Sequence, residues 1–297
     1  SSFYLKYFIL IREWLKESQN EIPEYIDENI YYLGQAYAFI WQNNKKDLLF
    51  NGNHETKNIN FDQYLKRLGY NFKNQSNELG GYAILNNKKI VLAMDIGSSP
   101  DKKFSSDYQA GSLSFEVISN GKKIICNSGY FQNYKHRLNE ISKSSAVNST
   151  LTLDNSSSCR FTKVKDSSSK ISHGLKIIKK NIVFEKNYWK IAASHDGYLK
   201  QYGTIHEREI EFYPEQIKFI GYDKMISKNN FLNINFEIRF HLEPSAKVMK
   251  TQDNKTILID IEGEGWKFIS NNNNINIDSG LYFGKKNSFI DNQNIFI

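Results

Sequence analysis

The sequence predicts an α+β fold, with helices at the N-terminus followed by a large antiparallel β-sandwich. Three features of its 297 residues carry that expectation. Apolar residues recur at three- and four-residue spacing up to residue 70. From residue 80 they fall at alternate positions, and no fixed-period repeat of the kind a propeller needs runs through the alternating part.

The helical part begins with "FYLKYFILIREWLKES", 3 to 18, which is free of Gly and Pro and reads as a buried amphipathic helix. A second helix fits 24 to 43, where Ile26, Ile30, Leu33, Tyr37 and Ile40 form one stripe. The polar loop "NNKKDLLFNGNHETKNI" then leads to a short helix over 60 to 70 with Asn60 as N-cap. So few helices make a poor core alone. The polar stretch "FKNQSNELGG", 72 to 81, marks the boundary and divides the chain into a helical segment, 1–75, and a β domain, 76–297.

Beyond it, "GYAILNNKKIVLAMDIG" reads as two strands joined at Asn-Asn, and "LSFEVISNGKKIICNSG" as two more joined at Asn-Gly, a strong hairpin signal. "STLTLDN", "NIVFEKNYWKIAASHD", "TIHEREIEFYP", "QIKFIGYDKM", "NINFEIRFHLEP", "AKVMKTQDNKTILIDIEG", "EGWKFISNN" and "GLYFGK" continue the alternation. About twelve antiparallel strands of this kind imply a sandwich.

Charge and composition narrow the partners. A net charge of +7 and a pI near 9.0 suit an acidic partner, although a lysine surplus spread over the surface has the same signature. No Lys/Arg block exceeds a pair, and no zinc finger, RNP motif or basic groove-reading helix occurs, so nucleic acid is not expected. The longest apolar run, Phe3 to Ile11, is too short to span a bilayer and carries Lys6, so no membrane insertion is expected. It lacks the flanks of a signal peptide, and the chain opens on Ser, which fits a fragment or a processed chain. Cys126 and Cys159 are too few for a disulfide framework and are expected as buried thiols.

Five motifs in one order carry a resemblance. They are "LLFNGNHE"; "AGSLSFEV" with the hairpin reaching "CNSG"; "SKSSAVNSTLTLD"; "SHDGYLKQYGTIHEREIEF"; and "EIRFHLEP". Together the chain resembles the C-terminal part of the heparinase II/III-like family. The resemblance implies that the N-terminal helices are the last turns of an α/α toroid. It implies a lyase acting on uronic-acid-containing, anionic polysaccharide at the bacterial cell envelope or periplasm. Such a lyase works by β-elimination: a base takes the C5 proton, a neutral or cationic group steadies the carboxylate, and an acid protonates the departing oxygen. The alternative is a non-catalytic carbohydrate-binding or structural sandwich descended from such a lyase.

The resemblance also nominates residues. Its His-x-His-x-Asp pattern before Leu-Ser-Phe falls on Asp107, Gln109 and Gly111, so both histidines are absent. A metal held in some members by His, Asp and His would meet Gln109, Asn127 and His206. One good zinc ligand of three is left, so no cofactor is expected and a hydrogen-bonded polar cluster should take its place. Lys143 stands where Arg is usual and Asn148 where His is usual. The catalytic candidates are Gln109 and Asn148 at these positions, and His54, which sits on a polar loop at the end of a helix beside Asn51 and Asn53, with Asn51, Tyr108, Tyr130 and Lys143 toward substrate, and Tyr134 as a further ring for stacking on sugars. The principal tyrosine base of the family is expected from a part of the toroid that this chain does not contain. Among the other histidines, His195 with Asp196 reads as turn chemistry, and His241 as facing a partly polar sheet surface.

Overall fold

The computed structural model describes residues 2–42, 46–55, 59–74, 76–164, 168–227, 234–271 and 275–297. Parts of several predicted segments fall outside them: Asn43 of the second helix, 44–45 and 56–58 of the polar loop, Gln75, and the outer ends Asn233 and Asn272 of two predicted strands.

Helix α1 spans Ser2–Glu17 and α2 spans Glu24–Tyr37, the latter running on into a π-helical turn, Ala38–Gln42. Helix α3 covers Ile59–Arg67, so Asn60 sits inside the helix and does not cap it. The expected apolar stripe of α2 is real: Ile26, Ile30 and Tyr37 join Leu5 and Ile9 of α1 in one small core, with Leu33 packed against it. Polar clasps lock the arrangement. Arg12 Nε donates to Asp27 at 2.6 Å, and both the Tyr37 hydroxyl (2.6 Å) and Trp41 Nε1 (3.1 Å) donate to Asp62. α1 differs from the buried helix expected, because only Leu5 and Ile9 are enclosed while Phe3, Tyr7 and Trp14 stay exposed.

The β region opens with a five-stranded antiparallel meander, in order Glu78–Leu79, Tyr82–Asn86, Ile90–Asp95, Phe115–Ser119 and Lys122–Ile125. A four-stranded sheet runs Lys218–Ser227, Thr204–Tyr213, Trp189–His195, Ile177–Phe184. Another runs Asn276–Tyr282, Ile290–Phe296, Phe236–His241, Leu151–Leu153. A three-stranded sheet (Lys247–Lys250, Thr256–Ile261, Glu264–Ile269) and a hairpin (Arg160–Lys163, Ser169–His173) complete it.

One core joins the larger layers: Leu92 and Val117 of the meander meet Ile191 and Phe212 of the second sheet, and Ile259 and Ile295 of the others. The meander's opposite face packs on Phe39, Leu48 and Phe50 from the helical side. Its central strand, Ile90–Asp95, is therefore buried at every position, which is why its sequence is apolar from Ile90 to Met94.

Glu116 stitches the two parts together. Its Oε1 accepts the backbone N–H groups of Leu49 (2.9 Å) and Asn127 (3.0 Å), and its carboxylate lies 3.4 Å from Lys123, which is equally buried. Desolvation offsets much of the attraction within an enclosed pair like this. Both cysteines are free and buried.

Candidate functional site

Three loops meet beside the strand Phe115–Ser119: 50–55 after the helices, 105–112 leading into the strand, and 129–137 after the hairpin. The tightest contact is at Gly52. Its φ of +83° is open to glycine, and a β-carbon there would lie 2.6 Å from Asp107 Cβ. Asn51, itself at φ +44°, fastens the loop by donating from Nδ2 to the Tyr82 hydroxyl and to Asp95 Oδ2, both at 2.9 Å, and by accepting the Gln109 N–H.

Burial sorts the residues expected to carry chemistry. Gln109 is fully enclosed: Oε1 accepts the Gly52 N–H at 3.1 Å, and Nε2 donates to the carbonyls of Gly129 (2.9 Å) and Ser142 (2.5 Å). Every polar atom of that side chain is spent holding the three loops together, so it offers none to a sugar. Asn148 is equally internal. Its Nδ2 donates to the Ser144 carbonyl, and its Oδ1 lies 2.8 Å from where a Gly111 β-carbon would stand, which explains glycine at 111.

Lys143 donates to the carbonyls of Ser105, Ser106 and Ser169 beneath the Phe161 ring, 4.9 Å away, and burial pushes its ammonium down to about 8. Tyr130 is enclosed between Asn139 and the Ser106 carbonyl, and Tyr108 sits among Ala110, Ile171 and Leu175. Neither ring has a free face for stacking on a sugar.

The open rim is built from other side chains. Asp107 is exposed and its Oδ1 accepts the Tyr134 hydroxyl at 2.8 Å. His54, partly exposed, has Nδ1 within 3.2 Å of Gln132 Nε2. The amide nitrogen can only donate, so the imidazole proton is fixed on Nε2. Gln132 was not among the expected residues, and no spacing signal in the sequence marks it.

The expected metal positions do not converge. Among the described residues no three His, Cys, Asp or Glu side chains come together as a metal site. Gln109 is committed as above, and Asn127 Oδ1 accepts the Ser149 N–H. His206 is buried with both ring nitrogens engaged, Nε2 at 2.6 Å from Asp223 and Nδ1 at 3.3 Å from His195 Nε2. His195 Nδ1 accepts the Gly197 N–H, so its proton lies on Nε2 and points at His206. Burial lowers both imidazoles and keeps them neutral, which closes a single chain of donors ending on Asp223. These residues do not fit zinc. His195 is thus a buried partner of His206 and no mere turn residue. His241 is internal too, held by Ser128 and the Ala146 carbonyl, and burial drops it to about 4.

Arg208 completes that interior network. It grips Asp223 with Nε (2.8 Å) and Nη2 (3.0 Å), holding the carboxyl well below its usual range despite burial. Its Nη1 donates to the carbonyls of Leu113 (3.0 Å) and Ser149 (2.6 Å). Leu113 has φ +60°, a left-handed conformation that is costly for leucine, and the guanidinium bond holds its carbonyl there.

A helical lead-in and stacked antiparallel sheets, with polar loops gathered on one rim, define an α+β fold built on an antiparallel β-sandwich. The chain belongs to the heparinase II/III-like family: the model described as "Heparinase II/III-like, C-terminal" matches residues 74–297. Among solved structures, the heparan sulfate lyase HepC from Pedobacter heparinus is similar at TM-score 0.75 and 15% identity, over 99% of this chain and 48% of that one. Heparinase III, the BT4657 gene product, is similar at TM-score 0.70 and 15% identity, over 93% and 44%. A further heparinase III is similar at 0.67 and 16%, over 98% and 50%. This chain thus spans about half the length of those proteins. No curated protein matches. No helix among the described residues is long and apolar enough to cross a membrane.

Proposed function

We propose that this chain is the C-terminal portion of a polysaccharide lyase that cleaves uronic-acid-containing, anionic polysaccharide by β-elimination. The observation that carries the reading is the rim where Asp107 with Tyr134 and His54 with Gln132 face outward from three interlocked loops. Asp107 accepts the single Tyr134 hydroxyl proton, so the phenol oxygen is left to take a proton from a sugar as its own passes to Asp107. His54, with its proton on Nε2, presents a donor suited to the uronate carboxylate. Substrate, activity and a site of action at the cell envelope come from the family likeness and are part of the proposal.

The second reading, a non-catalytic glycan-binding sandwich, is favoured by the internal use of Gln109, Asn148 and Lys143. One experiment separates the two. The natural full-length protein is incubated with uronate polysaccharides while the ultraviolet absorbance of the new C4=C5 double bond conjugated with the carboxylate is followed. Rising absorbance with one polymer supports the lyase. Glycan binding without any rise, across all polymers, overturns it in favour of the binding module.

A further inference from the structure

Beside Tyr134 the chain runs Lys135, His136, Arg137, three basic side chains in a row, all exposed. Surface lysines are common here, but this run differs in how rigidly it is held. The Lys135 N–H donates to Asn133 Oδ1 at 3.1 Å, and the His136 N–H to the Asn133 carbonyl at 3.0 Å. His136 packs on Phe131 with ring centroids 5.0 Å apart. Its Nδ1 accepts the Leu138 N–H at 3.2 Å, which puts the ring proton on outward Nε2. Below, Asn139 Nδ2 donates to the Phe131 carbonyl at 2.6 Å and to the Tyr130 hydroxyl at 3.0 Å. On its N-terminal side the loop is tied to the rim by Tyr134 on Asp107 and Gln132 on His54.

Among the described residues neither Lys135 nor Arg137 forms an ion pair, although Glu140, three residues beyond Arg137, is paired with Lys163. Two unpaired cations on a held backbone, with an oriented N–H donor between them, thus stand next to Tyr134. Ordering a loop at the moment of binding costs affinity, so a backbone already held by its own hydrogen bonds reduces that cost.

We propose that the segment Lys135–His136–Arg137 is an anionic-sugar subsite, binding the acidic groups of the polysaccharide residue next to the one held at Tyr134. This rests on, and deepens, the polysaccharide reading of the same rim. Planar carboxylate and sulfate both match the Arg137 fork, and the shared chemistry is an oxyanion on a sugar ring.

The test measures binding by the natural full-length protein to four polymers: an unsulfated uronate polymer, the same polymer with its carboxyls reduced to alcohols, heparan sulfate, and a neutral glucan. Variants are Lys135→Ala/Arg137→Ala and, as a control for unspecific charge, Lys88→Ala/Lys89→Ala on the exposed turn of a distant hairpin. The inference expects the rim variant to bind the acidic polymers at least tenfold more weakly. It also expects the slope of log affinity against log salt to flatten by about one to two, near one per cation removed, with the control unchanged. Loss on both acidic polymers means carboxylate recognition; loss on heparan sulfate alone means sulfate. Unchanged affinity and slope in the rim variant, or an equal loss in the control, overturns the subsite and leaves the proposed function standing. A wild-type protein that binds none of the acidic polymers overturns both. Retained thermal unfolding in each variant excludes misfolding as the cause.

Discussion

Two polar regions of the molecule are built from the same residue types and behave oppositely. The interior network of Arg208, Asp223, His206 and His195 is sealed, and each of its donors meets an acceptor within the protein. The rim of His54, Gln132, Asp107, Tyr134 and Lys135–Arg137 is open, and its donors and charges face solvent. Closed polar groups specify a fold, because leaving any of them unpaired is costly. Open ones have little effect on stability and are available to a ligand. At the positions where the sequence resemblance expects histidines, Gln109 and Asn148 serve as interior clasps, and the polar groups that reach solvent lie on the rim. That division is what the following measurements break or sharpen, taken by their expected effect on stability.

The largest effect is expected at Arg208. Truncating it to Ala strands Asp223 without its cation and frees the carbonyls of Leu113 and Ser149. Breaking a buried pair from one side costs about 3–5 kcal/mol. Denaturant unfolding of Arg208→Ala should show a loss of that size, and a loss under about 1 kcal/mol would mean that the interior network is not what holds the turn at 113.

Next comes Asp95, which is buried, accepts from Asn51 and Gly97, and is pushed up to about 7 by burial. The unfolded carboxyl titrates near 3.9. The native state therefore binds the extra proton between those values, and its contribution is complete below pH ~4 and is lost as pH rises to about 7. The gap corresponds to at most about 4 kcal/mol. Comparing unfolding free energies of wild type and Asp95→Asn across that window isolates it: the wild type should lose stability with rising pH relative to the variant. A parallel pair of curves would place Asp95 outside the interior class.

Gln109→Ala tests whether the clasp reading is right. It removes an acceptor from Gly52 and two donors from enclosed carbonyls, for which about 1–3 kcal/mol is expected in unfolding. A stability change near zero would return Gln109 to the list of ligand-facing residues.

The sequence made the scaffold legible and hid the site for a definable reason. Period-two alternation and the Asn-Gly turn located both hairpins of the meander because each strand answers to its own neighbours. It passed over Ile290–Phe296, whose centre Asp-Asn-Gln-Asn is polar; there Asn292 is buried and donates to the Leu242 carbonyl. It also passed over Arg160–Lys163 with Ser169–His173, a hairpin with little apolar alternation. For the site, position along a motif named Gln109 and Asn148, but motif position does not carry burial, and both side chains are enclosed. Whether an amide faces a cleft or a carbonyl depends on loops 20 to 60 residues away, as the bonds from Gln109 to Gly129 and Gly52 illustrate. Tyr134 stood out only as one tyrosine of 18 until the fold set it against Asp107.

Tyr134 gives the smallest effect on stability and the sharpest contrast with Arg208. Its hydroxyl bond to Asp107 is exposed and competes with water, so Tyr134→Phe should change unfolding free energy by no more than about 0.5 kcal/mol. If the phenol transfers the proton in the elimination, the same change in the full-length enzyme should lower turnover by roughly 100-fold or more with little change in half-saturating substrate. Asp107→Asn should act through the phenol's orientation and shift the pH profile of turnover, an outcome that a purely structural contact would not produce. A stable Tyr134→Phe protein with wild-type turnover would remove the phenol from the chemistry while leaving the rim as a binding surface. A strongly destabilised one would move Tyr134 into the interior class, and the division between sealed and open polar groups would fail at the residue on which it depends most.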